Sequence, residues 1–493
     1  MRLAAAALML AAFLSVGGSA AAAEEGSVVL PWVPNGDDTG EIGTWDAQIV
    51  LQNPAYALCG ITIQVPPGNN SWMQSDQFLI EPHGSLVFTP DDIALPEPGG
   101  PVMIDSTGCD VAVAVKQTAG DVADAPWSHG ANAVAGYTGV PGADLTGMDT
   151  WFLPIVQTNN GWNSYIRVSN LLQSGDETVT VDLFPMRNDA GEGAKTSVTF
   201  GLAPGTTKVI DVLETVGQTE WVGFARVTSN GAFAAIVQRE KPETSMVMLN
   251  VGSPHTSAAG SSGSHRLDAP IVFNAYNGWN TGINVANTTD QPANVTISYP
   301  GAARPDDHLT LAPFSSDYVF TPANAPEQTG FSGTAVITAD QPVAAVVDEV
   351  KYGTGEAISY SASGVAASEL TVPLVFRQDE DGVHNDNSGV NLSNPNDHDV
   401  TVEIQILDEL GVPVGGTITV NLPANQGNFA YLPSTAVPPG TRGAALIHTT
   451  DGSPVVAISN DVSYDVAADG SAVFAAVSGS GFYRVGDAAM ALP

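Results

Sequence analysis

Apolar and polar residues alternate in short runs through most of this chain, and the runs return in the same order four times. The phrase apolar-x-apolar-x-Asn occurs as Ile49-Val50-Leu51-Gln52-Asn53, Ile166-Arg167-Val168-Ser169-Asn170, Ile283-Asn284-Val285-Ala286-Asn287 and Val390-Asn391-Leu392-Ser393-Asn394. The first two intervals between these asparagines are 117 residues each and the third is 107, each the length of a domain. Eight or so residues after each Asn a second alternating run follows: Ile61–Val65, Val179–Leu183, Val295–Tyr299 and Val402–Ile406. A period of two puts one face on a core and the other in water, so both runs are predicted to be antiparallel strands. The polar turn between them predicts a hairpin, with Asn at the strand exit because it bonds nearby backbone and tolerates left-handed geometry.

Each repeat opens on a strand marked by proline: Leu30-Pro31-Trp32-Val33, Leu153-Pro154-Ile155-Val156, Ala269-Pro270-Ile271-Val272 and Val372-Pro373-Leu374-Val375. Proline cannot donate to a ladder, which places it at an edge or at a strand start. Later, "LAPG" at 202–205, "LAPF" at 311–314 and "LPAN" at 422–425 each precede another strand. A Gly then leads a long apolar stretch, at Gly223–Val237, Gly333–Val347 and Gly443–Ile458, which is predicted to fold as a hairpin. The one helix-like segment is the short Val209–Val216.

About seven strands in roughly 110 residues, with a turn every 8 to 12, is the pattern of an immunoglobulin-like β-sandwich. On these repeats the chain resembles the tandem Ig-like modules of bacterial secreted and surface proteins. The resemblance is one of architecture and covers nearly the whole chain. Propeller blades of roughly 40 to 50 residues are too short for the observed intervals. The expected fold is all-β: four tandem immunoglobulin-like antiparallel β-sandwich domains after a signal peptide. The expected boundaries are 1–23 for the signal, 24–146, 147–254, 267–364 and 365–482 for the sandwiches, 255–266 for a Gly/Ser-rich linker and 483–493 for a C-terminal tail. The flexible linker predicts a looser joint between the second and third repeats than between the third and fourth, and the whole is expected to be a rod or string of separate globules.

Composition places this object. Met1-Arg2, an apolar run from Leu3 to Val16 and the small residues up to Ala23 predict a secretory signal cut after Ala23. The run is shorter than the roughly 20 residues that span a bilayer, so no transmembrane segment is expected in the mature chain. The formal net charge is −37, from 52 acidic and 15 basic residues, which repels phosphate backbones and argues against nucleic acid. Cys59 and Cys109 are the only cysteines, and in an oxidising compartment a disulfide between them is expected.

Three features could carry chemistry. Trp162 and Trp279 occupy equivalent Gly-Trp-Asn loops and Trp45 lies near the same place. Exposed rings there would stack on sugars, whereas buried ones would plug the end of their own core. In the fourth repeat the loop is acidic, and Asp379, Asp381 and Asp386 are candidate Ca²⁺ ligands because hard oxygens around Gly turns suit that ion. The EF-hand spacing is not met, and a solvated acidic loop is the other reading. No zinc, nucleophile-elbow or phosphate-loop motif occurs, so no catalytic residue is assigned. The expected function is a non-enzymatic secreted or cell-surface structural or adhesive protein. Its expected partners are extracellular proteins, further copies of itself or cell-envelope glycans. The alternatives are an extracellular carbohydrate-binding protein using the loop tryptophans, and a polysaccharide hydrolase with an unrecognised carboxylate site.

Overall fold

Strands form where the alternation predicts them. The computed structural model describes residues 26–66, 72–119, 133–145, 147–255, 264–325, 329–353, 355–377, 386–466, 472–479 and 483–484. The Asn-ended runs become Trp45–Gln52, Asn163–Asn170, Asn280–Asn287 and Asp386–Ser393. The runs that follow become Cys59–Val65, Glu177–Pro185, Ala293–Ser298 and Val400–Asp408.

The predicted hairpin between them is corrected. Asn163–Asn170 pairs with Thr207–Asp211 and Phe233–Lys241, while Glu177–Pro185 pairs with Thr196–Leu202 and Val222–Ser229 in a different sheet. In the other three repeats the two runs likewise do not pair with each other, although there all strands connect into one continuous sheet. Each Asn therefore marks where the chain crosses from one group of paired strands to another, and its buried side chain holds that crossing. Asn170 donates to Leu202 O at 2.8 Å and accepts from Leu172 N at 2.7 Å. Asn53 donates to Ala57 O and Ile80 O and accepts from Ala55 N. Asn287 joins Gln291 O, Ala312 O and Thr289 N, and Asn394 joins His398 O, Leu422 O and Asn396 N. One amide thus satisfies backbone groups that the departing chain leaves behind.

The Gly-led stretches cross as well, and this too corrects a predicted hairpin. Val222–Ser229 and Phe233–Lys241 lie in separate sheets. In the third repeat the stretch is one 21-residue strand, Phe331–Lys351, pairing with Ala293–Ser298 through its first half and with Asn280–Asn287 through its second. The helix is confined to Val212–Val216, capped by the Asp211 carboxylate, which accepts from Glu214 N.

Opening strands run over Ser27–Asp37, Thr150–Gln157, Ser264–Asn274 and Glu369–Arg377. Every one shifts register across its proline, between Leu30 and Val33, Leu153 and Val156, Ala269 and Val272, and Val372 and Val375. A bulge is where a ladder tolerates a residue without N–H. The short pair Tyr483–Arg484, assigned from sequence to the tail, pairs with Thr371 and Leu370 of the fourth opening strand. Cys59 and Cys109 form the expected disulfide, their Cα atoms 5.4 Å apart.

Four large apolar clusters make up the interior, one centred on each repeat. They are not sealed from one another. Ile236, Val247 and Leu249 of the second repeat belong to the first cluster, Val29, Met103 and Val140 of the first repeat belong to the second, and Ile458 of the fourth belongs to the third. At about 1.5–3 kcal/mol for each such side chain buried, these contributions tie the repeats together. The last long strands of the repeats are Ala133–Thr138, Met246–Val251, Glu356–Ser361 and Ala472–Gly479. Each lies against the next, and the last lies against the first. The expected rod or string is therefore corrected to a closed ring. The alternation located the inner faces, but it gave no sign that the outer faces of the opening and Asn-ended strands are largely buried too.

Candidate functional site

The ring is made by one contact used four times. The opening strand of each repeat crosses the outer face of the sheet carrying the next repeat's Asn-ended strand: Ser27–Asp37 on the second repeat, Thr150–Gln157 on the third, Ser264–Asn274 on the fourth and Glu369–Arg377 on the first. Side chains that a lone sheet would turn to water face a neighbour instead, so any polar group among them needs a partner there.

Each seam carries a different polar key. Between the first and second repeats, Arg167 Nη2 meets Asp37 Oδ2 at 2.6 Å with both side chains buried, and Glu240 accepts from Trp45 Nε1 at 3.1 Å. Between the second and third, Arg239 makes two bonds to Asp348, at 2.7 and 2.6 Å, within a cluster that includes Asn250, Ser359 and Asn284. Asn460 of the fourth repeat donates to Glu349 of the third at 2.9 Å. Across the last seam Lys116 reaches Asp386 at 3.3 Å and lies 4.4 Å from the centre of the Phe376 ring.

Burial governs the protonation of several of these acids. Desolvation pushes Asp461 up to about 7, against hydrogen bonding from Ser388 and the nearby Lys116 charge, while Asp386 pushes in the same direction as burial. Desolvation also holds Glu349 well above the usual carboxylate range, and it raises Glu240. A small cavity at the last seam is lined by Ala114, Lys116, Tyr137, Pro373, Leu374 and Asp461. These groups are arranged as links between strands, and their chemistry is that of charge-assisted hydrogen bonds in a poorly solvated joint.

A second set of contacts girdles the outside. His83, Gly205, Phe314 and Asn425 stand at the same place in the four repeats, two residues before a strand, and all four are left-handed, with φ of 60, 65, 49 and 58°. A turn from the preceding repeat docks beside each. Arg187 N donates to Ser316 O at 2.9 Å, and Glu409 O accepts from Ser85 N at 3.0 Å. A Cβ placed on Gly411 would fall 2.6 Å from the His83 carbonyl carbon, so this turn requires glycine both for its φ of 79° and for the approach. The LAPG, LAPF and LPAN motifs thus mark where one repeat receives its neighbour.

The three tryptophans are buried. Trp45 bonds Glu240 of the second repeat. Trp162 packs with Met246, Met248 and, from the third repeat, Val350 and Ala357, and Trp279 packs with Ile358, Phe273 and Val462 of the fourth. Trp162 and Trp279 therefore fill seams to the following repeat, while Trp45 packs in the first repeat's core cluster and bonds across its seam, and all three are buried in this structure. Asp379 and Asp381 lie outside the described residues. Asp386 is buried and paired with Lys116. Among the described residues no three His, Cys, Asp or Glu side chains are grouped so as to hold a metal ion. Among these residues no helix is long and apolar enough to cross a membrane.

Lys116, Arg167 and Arg239 were missed from sequence, although a signal existed. In a chain with 15 basic residues, an arginine at the centre of Ile166-Arg167-Val168 sits where alternation predicts an outward side chain. The equivalent position is Val50 in the first repeat and Asn284 and Asn391 in the third and fourth, so the arginine stands out from its counterparts.

No family model and no curated protein matches the chain. Among solved structures, the crystal structure of Thermotoga maritima 1070 aligns at a TM-score of 0.18 and 12% identity, over 22% of this chain and 93% of that one. The tetra-tandem repeat in the extending region of a large adhesion protein aligns at 0.09 and 10% identity, over 86% and 92%.

Proposed function

We propose that this chain is an exported, non-enzymatic structural or adhesive protein, built of four immunoglobulin-like β-sandwich domains that are closed into a ring. The domains follow the boundaries drawn from the repeats, with the fourth extended to Arg484 by its pairing. The observation that carries the reading is where most of the buried bases go: Lys116, Arg167 and Arg239 each join one repeat to another, while Arg304 pairs with Asp307 inside the third. A chain that commits three of its buried bases to joints is suited to presenting a rigid surface. The surface it presents is acidic, with exposed apolar side chains at Tyr56, Leu79 and Leu410. Tyr56 sits edge-on to His83, the residue beside which the Gly411 turn docks, so the group marks the outer rim of the last seam. Apolar groups of this kind that gather into a patch serve as contact points for another macromolecule, and we take Tyr56, Leu79 and Leu410 as the candidates.

The test is a cell-fractionation and attachment experiment. The mature chain is expected outside the cell without residues 1–23, and soluble protein added to cells is expected to bind and to lose binding in a Tyr56→Ser, Leu79→Ser, Leu410→Ser variant. Retention of the protein inside the cell, or undiminished binding by that variant, refutes the reading. A glycan array run with and without calcium separates protein from sugar partners, and tests the acidic loop of Asp379 and Asp381 at the same time.

A further inference from the structure

The geometry points to a covalent clasp that closes the ring: an amide bond between Lys116 Nζ of the first repeat and Asp386 Cγ of the fourth, formed by the chain itself with Asp461 carrying the protons.

Three strands bring the reacting groups together. Lys116 stands on Ala112–Ala119, on the outward face it shares with Ala114, which packs with Leu374 and Phe376 of the fourth repeat. Across the seam, Asp386 begins the strand Asp386–Ser393, and Ser388 two residues on is the register partner of Asp461 on Val456–Val466. A period of two puts Asp386, Ser388 and Asp461 on one face of that strand pair. Lys116 Nζ meets this face 3.3 Å from Asp386 Oδ2, with side-chain exposures of 2% and 6%. Asp461 is buried as well, and its Oδ1 accepts from Ser388 Oγ and, at 3.4 Å, from Ser459 Oγ. An amine, a carboxyl group and a second acid thus share one dry site, with the amine already at contact distance from the group it would attack.

The surroundings distinguish this pair from an ordinary ion pair. The Phe376 ring lies 4.4 Å from Nζ, and Tyr137, Pro373 and Leu374 wall the small cavity beside it. Burial raises Asp461 to about 7, so near neutrality it has a proton to give, which an unperturbed carboxyl group lacks. The bases Arg167 and Arg239 at other seams carry a delocalised, permanently charged guanidinium, which is no nucleophile. Lys195 and Lys351 also meet carboxylates, Asp182 at 2.9 Å and Glu356 at 3.1 Å, but water reaches both amines, which are 24% and 22% exposed. Asp182 is moreover held by Arg226.

The step balances without an oxidant, reductant or added reagent. The ion pair first passes its proton from nitrogen to oxygen, leaving an amine beside a carboxylic acid, a neutral pair that a poorly solvated site favours more than water does. Nζ then bonds to Cγ while Asp461 protonates the carbonyl oxygen and recovers a proton from the nitrogen. Asp461 next protonates one of the two hydroxyls on Cγ, the Cγ–O bond breaks and one water leaves. The proton of the remaining hydroxyl returns to Asp461, so the acid ends as it began. Ammonium and carboxylate have become amide and water, and exclusion of solvent favours that direction. The bond joins residues 270 apart in sequence, so it restrains the opened chain as a disulfide across a long loop does.

The test is the mass of the folded wild-type chain, taken after denaturation and reduction of its disulfide. It is expected to fall short of the mass of its sequence by one water. A tryptic digest is expected to yield one branched peptide joining the Lys116 segment to the Asp386 segment, with no cleavage after Lys116. Lys116→Arg keeps the buried positive charge without a nucleophile, and Asp461→Asn keeps the shape of the acid without its proton; each is expected to retain the full mass. Full mass in wild type, or a water lost within a linear peptide, overturns the clasp and leaves an ion pair. A branched peptide that persists undiminished in folded Asp461→Asn overturns the role of Asp461. Should that variant not fold, wild-type chain isolated unfolded and then refolded across a pH series decides the role. Lys116 and Asp386, the charged groups facing Asp461, react as a pair, and Tyr137 lies across the cavity. The bond is therefore expected to form more slowly as pH rises above about 7 and Asp461 loses its proton. A rate that does not fall overturns the role equally.

Discussion

Four asparagines explain why one phrase recurs through the chain. Each sits fully buried at a strand exit and holds both ends of a crossing between groups of paired strands. Alanine at position 170 would leave Leu202 O and Leu172 N without partners, at about 1–3 kcal/mol for each buried group left unsatisfied. Urea unfolding of Asn170→Ala is therefore expected to show a lower midpoint with an unchanged slope, and aspartate should rescue only the accepting half of the interaction. A second prediction at this scale concerns protons. Burial pushes Glu177 up to about 7, with Ser229 pulling the other way, and Asp461 also to about 7. Unfolded, both carboxyls titrate near 4. Between those values the folded state holds more protons, so this contribution to stability is complete below about 4 and is lost as pH rises through about 7. Denaturation between pH 4.5 and 8 should show Glu177→Gln and Asp461→Asn each flattening the decline relative to wild type; parallel curves would dismiss the assignment.

Among the elements, strand identity was legible in the sequence and strand partnership was not. The two-residue period located the strands on either side of each Asn, and proline located the bulged opening strands. Period alone cannot distinguish a hairpin from a crossing, because both begin with an alternating run and a polar turn. The discriminating feature was the Asn, whose bonds to Gly175–Leu202 and their equivalents reach carbonyls far along the chain. The seams were illegible for a related reason: a polar residue on an outward face looks the same whether water or a neighbouring arginine receives it. Arg239 and Asp348 give the seam prediction. Asp348→Ala leaves a buried guanidinium unpaired and is expected to cost about 3–5 kcal/mol, whereas the pair Arg239→Met, Asp348→Leu should cost much less. A double-mutant cycle by chemical denaturation measures the coupling. The tryptophans offer an optical check, since Trp162 and Trp279 lie inside seams and Trp45 bonds across one. They should resist acrylamide quenching in the native protein and become accessible in Asp348→Ala if that seam loosens.

For the molecule as a whole, the ring replaces the string, and the difference is large in solution. A compact body of the mature chain's length has a radius of gyration of about 23 Å, whereas a linear array of four such modules would exceed roughly 35 Å. Small-angle scattering on dilute protein is expected to give the smaller value, and a profile of the larger dimension would reject closure.

The sharing of one apolar interior between the first and second repeats has a consequence for biogenesis. Ile236, Val247 and Leu249 complete the cluster begun by Val28 and Leu30, so the first repeat stays unfinished until some 250 residues have emerged from the ribosome or translocon. A nascent chain of this design should mature in pairs rather than module by module. Translation paused between the first and second repeats would then leave a sticky, protease-sensitive intermediate in place of a stable fragment.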